Sequence, residues 1–398
     1  MTNEEISSGR PVWARPDLFP AAPPHSWGYM AGQQGAVILE NASALQDVIR
    51  QDDQESVGLV WTPDHDHMEV PEAVPELRDA LQQSRLRASH RQLERQKRQL
   101  RMGVLLFLGF MAYASWEIVQ FRQVFAPWGL LLDLLNTSAP IGLLFLCMFW
   151  LMPWYEARKR FREVRGWTAE TMKDAADLAR FEVWLSWQKI LATKVLMGIM
   201  ALAGVIQVIS GQPFAAALIR GGGERWRLFT APLLHGNLLH FLMNAMGLMY
   251  LGRRIEALAR WPQVPIVFLF SAWLGGECSM MMGQGGSLGA SGGLMGMLGF
   301  LLVFETRHAR LVPRTARRRL IAALLGTALI GVIGVRYIDN AAHIGGLVAG
   351  MVYAFIVFPR SSSVFRPQAS TVDRAVALMS FGTLLLGAWW AMRAMMRW

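Results

Sequence analysis

The sequence predicts an all-α protein that crosses a membrane many times and carries a small α/β region at its N-terminal end. Three observations predict it. Hydrophobic residues make up 53% of the 398 positions and charged residues only 17%. The apolar residues gather into runs near the length of about 20 residues that carries a helix across a bilayer. The net charge of +10 sits in short arginine clusters between those runs, which orients membrane proteins. Nucleic acid is therefore not an expected partner, and the lipid bilayer is. The two cysteines, Cys147 and Cys278, both lie in apolar runs, so neither a disulfide framework nor a metal cluster is indicated.

Taken in order, residues 1–101 read as a cytosolic region. Pro11, Pro16, Pro20, Pro23 and Pro24 predict a disordered start, and no signal peptide is expected in so polar a segment. Short strands follow at Ala36–Leu39 and Ser56–Trp61 with a helix near Ala42–Arg50 between them, then a polar helix from about Pro75 to Arg101. The run Asp64-His65-Asp66-His67 has metal-ligand residue types but no second ligand pair at a suitable spacing, and reads as a solvated loop. The basic run Arg91–Arg101 reads as charge flanking the first span.

Nine spans are expected, near 103–121, 136–153, 192–211, 234–251, 264–282, 289–304, 319–335, 340–358 and 374–392. Residues 102–191 hold two of them and a basic loop, 192–358 a six-span core, and 359–398 a last span. Asp133 and Asn136 trim the second span. Alternate loops hold 28 lysines and arginines on one side and seven on the other. The positive-inside rule then places the N-terminus in the cytoplasm and the C-terminus outside. With no organellar transit segment in view, a bacterial cytoplasmic membrane is the expected home.

That orientation brings the unusual polar residues to one depth. Ser291, in Gly289-Ala290-Ser291-Gly292, opens one span, and His343 opens another. His235, His240 and Asn244 run down from the outer end of a third. Polar side chains inside a bilayer are costly and mark function by default. A serine can serve as nucleophile if a base lies within reach and donors face the developing oxyanion. Ala342, Gly346 and Gly350 beside His343, and Gly292 and Gly296 beside Ser291, form small-xxx-small faces that let two helices touch. His240 and Asn244 are four apart, hence on one helical face, and both can donate to an oxyanion, as can the Ser291 N–H near a helix start.

The run Arg225-Trp226-Arg227, then His235, then His240 with Asn244, then Gly-Ala-Ser-Gly at 289–292, then Ala342-His343 with Gly346 resembles the rhomboid intramembrane serine proteases. The resemblance covers about residues 192–358. It implies a Ser–His dyad with no third carboxylate member, Ser291 being nucleophile and His343 base. It also implies oxyanion roles for His240 and Asn244, and a Trp226-Arg227 loop partly in the outer leaflet. His235 matches a family histidine that supports structure or water retention. Transmembrane protein substrates, with small residues at the cleaved position, and the absence of any cofactor or metal are further implications. The chain departs from the pattern at Met295, where the family often has an aromatic residue that stacks on the base, and in its two leading spans and one trailing span.

Each residue also has a plainer reading. A serine in a membrane helix usually bonds its own backbone. His343 can be a packed core histidine, His240 and Asn244 interhelical contacts, and Arg225 and Arg227 interfacial anchors. A catalytically silent relative that binds membrane clients and steers their quality control is the alternative function. A transporter would call for inverted repeats, and no repeat relates the halves. The sequence points instead to an intramembrane serine endopeptidase that cleaves near the outer face through an acyl-enzyme.

Overall fold

The computed structural model describes residues 9–31, 35–122, 126–136, 138–210, 212, 214–220, 223–282, 285–335 and 337–396. Residues 1–8 of the expected disordered start, residue 211 in the third expected span, and the counted basic residues Arg336 and Arg397 lie outside the described residues. The chain divides into two units. One comprises Ala14–Arg180 with Leu325–Tyr337, the other Met1–Trp13, Phe181–Leu324 and Ile338–Trp398.

The first unit begins with an antiparallel sheet of β1 (Trp27–Ala31), β2 (Ala36–Leu39) and β3 (Val57–Trp61), with β1 in the middle. Tyr29 faces Val37 on one side and Val60 on the other. The sequence predicts the two outer strands and misses the central one, because Trp27-Gly28-Tyr29-Met30 lacks an alternating pattern. The proline-rich start also differs from expectation. It forms two short 3-10 turns, Val12–Ala14 and Pro16–Leu18, and Trp13 and Phe19 are buried.

Helix α1 (Ala42–Gln51) is capped by Asn41, whose side chain accepts from the Ala44 N–H at 2.9 Å; an Asn cap satisfies a donor that a helix start leaves free. Leu45 and Ile49 on its inner face join Val57, Val60, Val74, Leu77 and Leu81 in one core. Then α2 (Arg78–Arg122) runs 45 residues unbroken. The sequence predicts a polar helix and a separate span here. With no proline between them, the change from charged to apolar residues alters the surroundings of the helix and leaves its backbone continuous. After α3 (Pro127–Asn136) and α4 (Ser138–Leu146), a π segment, Cys147–Leu151, leads into α5 (Met152–Arg165). Helix α6 (Ala169–Trp187) passes from the first unit to the second.

The second unit contains α7 (Leu191–Ile209), β4 (Leu218–Arg220), the single-turn α8 (Arg227–Thr230), α9 (Leu238–Ala259), α10 (Gln263–Met281), β5 (Gly285–Ser287) and α11 (Ser291–Arg307). These are followed by α12 (Arg314–Ile333), whose far end belongs to the first unit, then α13 (Asn340–Val357) and α14 (Thr371–Met396). Among the described residues six helical stretches are long and apolar enough to cross a membrane: Pro75–Phe121, Ala139–Arg165, Leu191–Ile209, Gln263–Met281, Asn340–Val357 and Thr371–Met396. The other three expected spans are also helical. Arg253, Arg254 and Glu256 interrupt the apolar run of α9, α11 has only 17 residues, and α12 opens with Arg314, Arg317, Arg318 and Arg319. In α9 and α11 the cost of the charges is lowered by burial in protein, where Arg254, Glu256 and Glu305 lie. The chain is a mostly helical, multi-pass membrane protein.

At the centre of this unit α11 lies against α13 with no side chains between the backbones. A Cβ on Gly346 would collide with the carbonyl of Gly292, and one on Gly350 with that of Gly296. Helix α10 closes on the same pair, Gly275 facing the Ala342 carbonyl. Close backbone approach through small residues replaces the hydrophobic drive that lipid removes. At the C-terminal ends of α9 and α11 the contact is ionic. Arg254 forms a two-pronged pair with Glu305, 2.8 Å on its longer arm, with side-chain exposures of 0% and 1%. Glu256 accepts from the N–H groups of Ala192 and Thr193, each at 3.0 Å, and so caps α7.

Candidate active site

Three helices begin at one place. Helix α9 starts at Asn237, whose side chain accepts from the His240 N–H at 2.8 Å. Helix α11 starts at Ser291. Helix α13 starts at Asp339, whose side chain accepts from the Ala342 N–H at 3.0 Å. Gly292 faces Ala342, a Cβ on it lying 3.4 Å from the Ala342 carbonyl. The residues next to Ser291 and His343 are thus in contact, and both side chains are half-buried. The two are not hydrogen-bonded to each other among the described residues; free active sites often hold such pairs looser than their reacting complexes do.

The third helix joins through Gly289. This residue has φ +126°, a conformation that glycine adopts freely and other residues rarely. Its N–H donates to the Ala231 carbonyl at 2.9 Å. A Cβ here would lie 2.9 Å from His240 Nε2 and 3.7 Å from Asn244 Nδ2. Only a bare backbone fits between the loop and these side chains. His240 Nδ1 accepts from the Gly236 N–H at 3.4 Å, so in the neutral ring Nε2 carries the proton and is a donor. Asn244 is 6% exposed, and its Nδ2 has no partner among the described residues. A buried amide donor without a partner is costly. His240 and Asp339 lie within electrostatic range of the His343 ring. Parallel helix starts add the positive ends of three macrodipoles to the same region, which suits negative charge.

His235 is buried and packs edge-on against His240 and Phe241, ring centroids 5.2 Å apart in each case. Its backbone is held on both sides by Gln207 of α7. The Gln207 Nε2 donates to the His235 carbonyl at 2.7 Å, and the His235 N–H donates to Gln207 Oε1 at 3.0 Å. The sequence reading overlooked Gln207; a buried amide in an otherwise apolar helix was the signal available.

Trp226 caps the single-turn helix α8, and Arg227 opens it. The Arg227 guanidinium lies over the Trp226 ring, 4.5 Å from its centroid, and donates to the carbonyls of Ala215 and Ala217. Thr230 Oγ1 donates to the Ala216 carbonyl between them at 2.7 Å. These bonds fix the segment entering β4, and β4 pairs with β5, Leu218 opposite Ser287. The turn therefore reaches the chain just ahead of Ser291 through a two-stranded ribbon. Strands of three residues, one of them Gly-Gly-Ser, leave no pattern for sequence reading to find. Met295 is 9% exposed, one turn into α11 beneath Ser291.

Residues 222–360 match the model of the Rhomboid domain. RHOMBOID-like protein 6, mitochondrial, of Arabidopsis thaliana is 32% identical over 148 residues, which are 36% of this chain and 47% of that protein. Rhomboid protease GluP of Bacillus subtilis (strain 168) is 31% identical over 132 residues, 33% of this chain and 26% of that protein. Inactive rhomboid protein 1 of Rattus norvegicus is 31% identical over 137 residues, 34% and 16%. The chain spans less than half the length of the curated relatives it matches. Plant, bacterial and mammalian relatives do not support the expected bacterial cytoplasmic membrane over another. The family includes proteases and inactive members alike. The domain match and these relatives together support a protein of the rhomboid family, the likeness lying in residues 222–360.

Proposed function

We propose that the protein is an intramembrane serine endopeptidase in which Ser291 and His343 form a dyad. The observation that carries this reading is the packing of Gly292 on Ala342, which brings the helices of the two residues together at their first turns. In the proposed reaction a transmembrane substrate unwinds locally, freeing a carbonyl that an intact helix would keep hydrogen-bonded. His343 takes the proton of the Ser291 hydroxyl as Oγ bonds to that carbon. The oxyanion accepts from the Ser291 N–H, His240 Nε2 and Asn244 Nδ2. The partnerless Nδ2 of Asn244 supports its part, since an oxyanion would supply what the folded chain does not. The peptide C–N bond then breaks, His343 protonates the leaving amine, and an acyl ester remains on Ser291. Water attacks the ester, giving its proton to His343, and the Oγ–carbon bond breaks with return of the proton to Oγ.

Basic loops on the opposite side support an orientation with the site toward the outer face. His235, Gly289, Gly346, Trp226 and Arg227 take supporting roles through the packing described above. The test is cleavage of a single-span substrate in liposomes by the wild type, Ser291→Ala and His343→Ala. Loss of either residue is expected to lower turnover by about 10³-fold or more. Undiminished cleavage by either variant overturns the dyad. A fluorophosphonate probe is expected to label the wild type and not Ser291→Ala. An unlabelled, inactive wild type would favour the client-binding alternative, which the likeness to an inactive rhomboid protein keeps in view.

A further inference from the structure

One carboxylate connects both sides of the site. Asp339 Oδ1 accepts from the Ala342 N–H at 3.0 Å, and the Asp339 carbonyl accepts from the His343 N–H at 3.1 Å. Its other oxygen, Oδ2, accepts from the hydroxyls of Ser279, near the end of α10, and Ser287, the last residue of β5. These serines are 60 and 52 residues away in the chain. Ser287 is followed by Leu288, Gly289 and Ala290, and then by Ser291 itself. Asp339 and His343 are four apart, so they share one helical face.

We propose that Asp339 is a positioning residue for the reaction proposed above, locking the first turn of α13, and with it His343, onto the strand that leads into Ser291. The inference rests on that catalytic reading. Helix α13 is fixed along its length by glycine contacts, which set its distance from α11. Such contacts do little to stop a short slide or a rotation about the helix axis. Hydrogen bonds are directional, and here those to the Asp339 carboxyl hold the end of α13 that carries the base. A slide of that end moves the imidazole relative to Ser291 Oγ, and a misplacement of about 1 Å can cost about 10²-fold in rate.

The full chain in liposomes, cleaving a single-span substrate, tests the proposal. Asp339→Ala is expected to lower kcat by about 10²-fold with KM within about twofold, the mark of a role in positioning rather than binding. Asp339→Asn keeps an equivalent helix cap and turns an NH2 donor toward the two serine hydroxyls, which can rotate to accept from it, and is expected to recover to within about tenfold of the wild type. Ser287→Ala, which cuts only the link to β5, is expected to lower kcat by about 3–10-fold. An unchanged kcat in Asp339→Ala overturns the proposal, as does a loss matched by the loss of folded protein, or an Asn variant as impaired as the Ala variant. Should Asp339→Ala fail to fold, Ser287→Ala decides: an unchanged kcat overturns the proposal. A wild type that neither cleaves nor labels overturns the protease reading and this inference together. A wild type that cleaves beside an equally fast Asp339→Ala overturns this inference alone.

Discussion

The two ends of the helix pair α9 and α11 are built on opposite principles. At their C-terminal ends the charges are paired: Arg254 pairs with Glu305 in full burial, leaving only its Nη1 without a partner among the described residues, and Glu256 caps α7. At their N-terminal ends the polar groups are held apart from one another. Asn244 keeps a buried donor without a partner, His240 presents a donor to a bare glycine backbone, and Ser291 and His343 sit close without a mutual hydrogen bond. The first arrangement fixes how the helices pair, because breaking it strands a buried charge. The second costs stability and leaves groups ready for a ligand, as functional sites do.

The contrast predicts that mutations at one end act on turnover and at the other on stability. The largest effect is the loss of about 10³-fold or more in turnover for Ser291→Ala, with a thermal unfolding midpoint like that of the wild type. A large fall in the midpoint would mean that the serine belongs to the packing. Next, Arg254→Ala leaves Glu305 buried and unpaired and is expected to cost about 3–5 kcal/mol, read by denaturant or heat unfolding. Replacing both partners, Arg254→Met with Glu305→Leu, is expected to recover most of that loss, and both variants are expected to cleave normally per folded molecule. An Arg254→Ala that unfolds like the wild type breaks the comparison from its other side. Asn244→Ala is expected to lower kcat by about 10²-fold with stability unchanged or raised, since it removes an unsatisfied buried donor.

The smallest effect lies in the N-terminal sheet region. Burial raises the Asp52 carboxyl, but hydrogen bonds from the Val57 and Ser56 N–H groups and the Ser56 hydroxyl, with nearby Arg85, outweigh it and hold the carboxyl below its ordinary range. A carboxyl depressed in the folded state contributes stability above its unfolded value of about 4 and loses it as the pH falls through the folded one. Acid unfolding of this region, followed by the fluorescence of the fully buried Trp61, is expected to begin at higher pH in Asp52→Ala. Unshifted acid unfolding would refute the role of Asp52 and leave the comparison of the helix ends intact.

Much of this was legible in the chain. Apolar runs interrupted by arginines determine a multi-pass helical protein, because lipid leaves a spanning backbone few choices besides the helix. The glycines at four-residue spacing beside Ser291 and His343 determine that their helices can touch. Strands Ala36–Leu39 and Ser56–Trp61 follow from residue type, whereas central β1 does not, since its register is imposed by its neighbours. Tertiary structure alone decided the rest. Arg254 with Glu305, Gln207 with His235, and Asp339 with Ser279 and Ser287 are pairings over 28 to 60 residues of sequence. No local periodicity records them. A sequence specifies which groups can bond and how its helices are spaced; which distant groups meet depends on how those helices pack. At the N-terminal ends of α9, α11 and α13, packing brings together a hydroxyl, two imidazoles and an unpaired amide that the chain lists far apart.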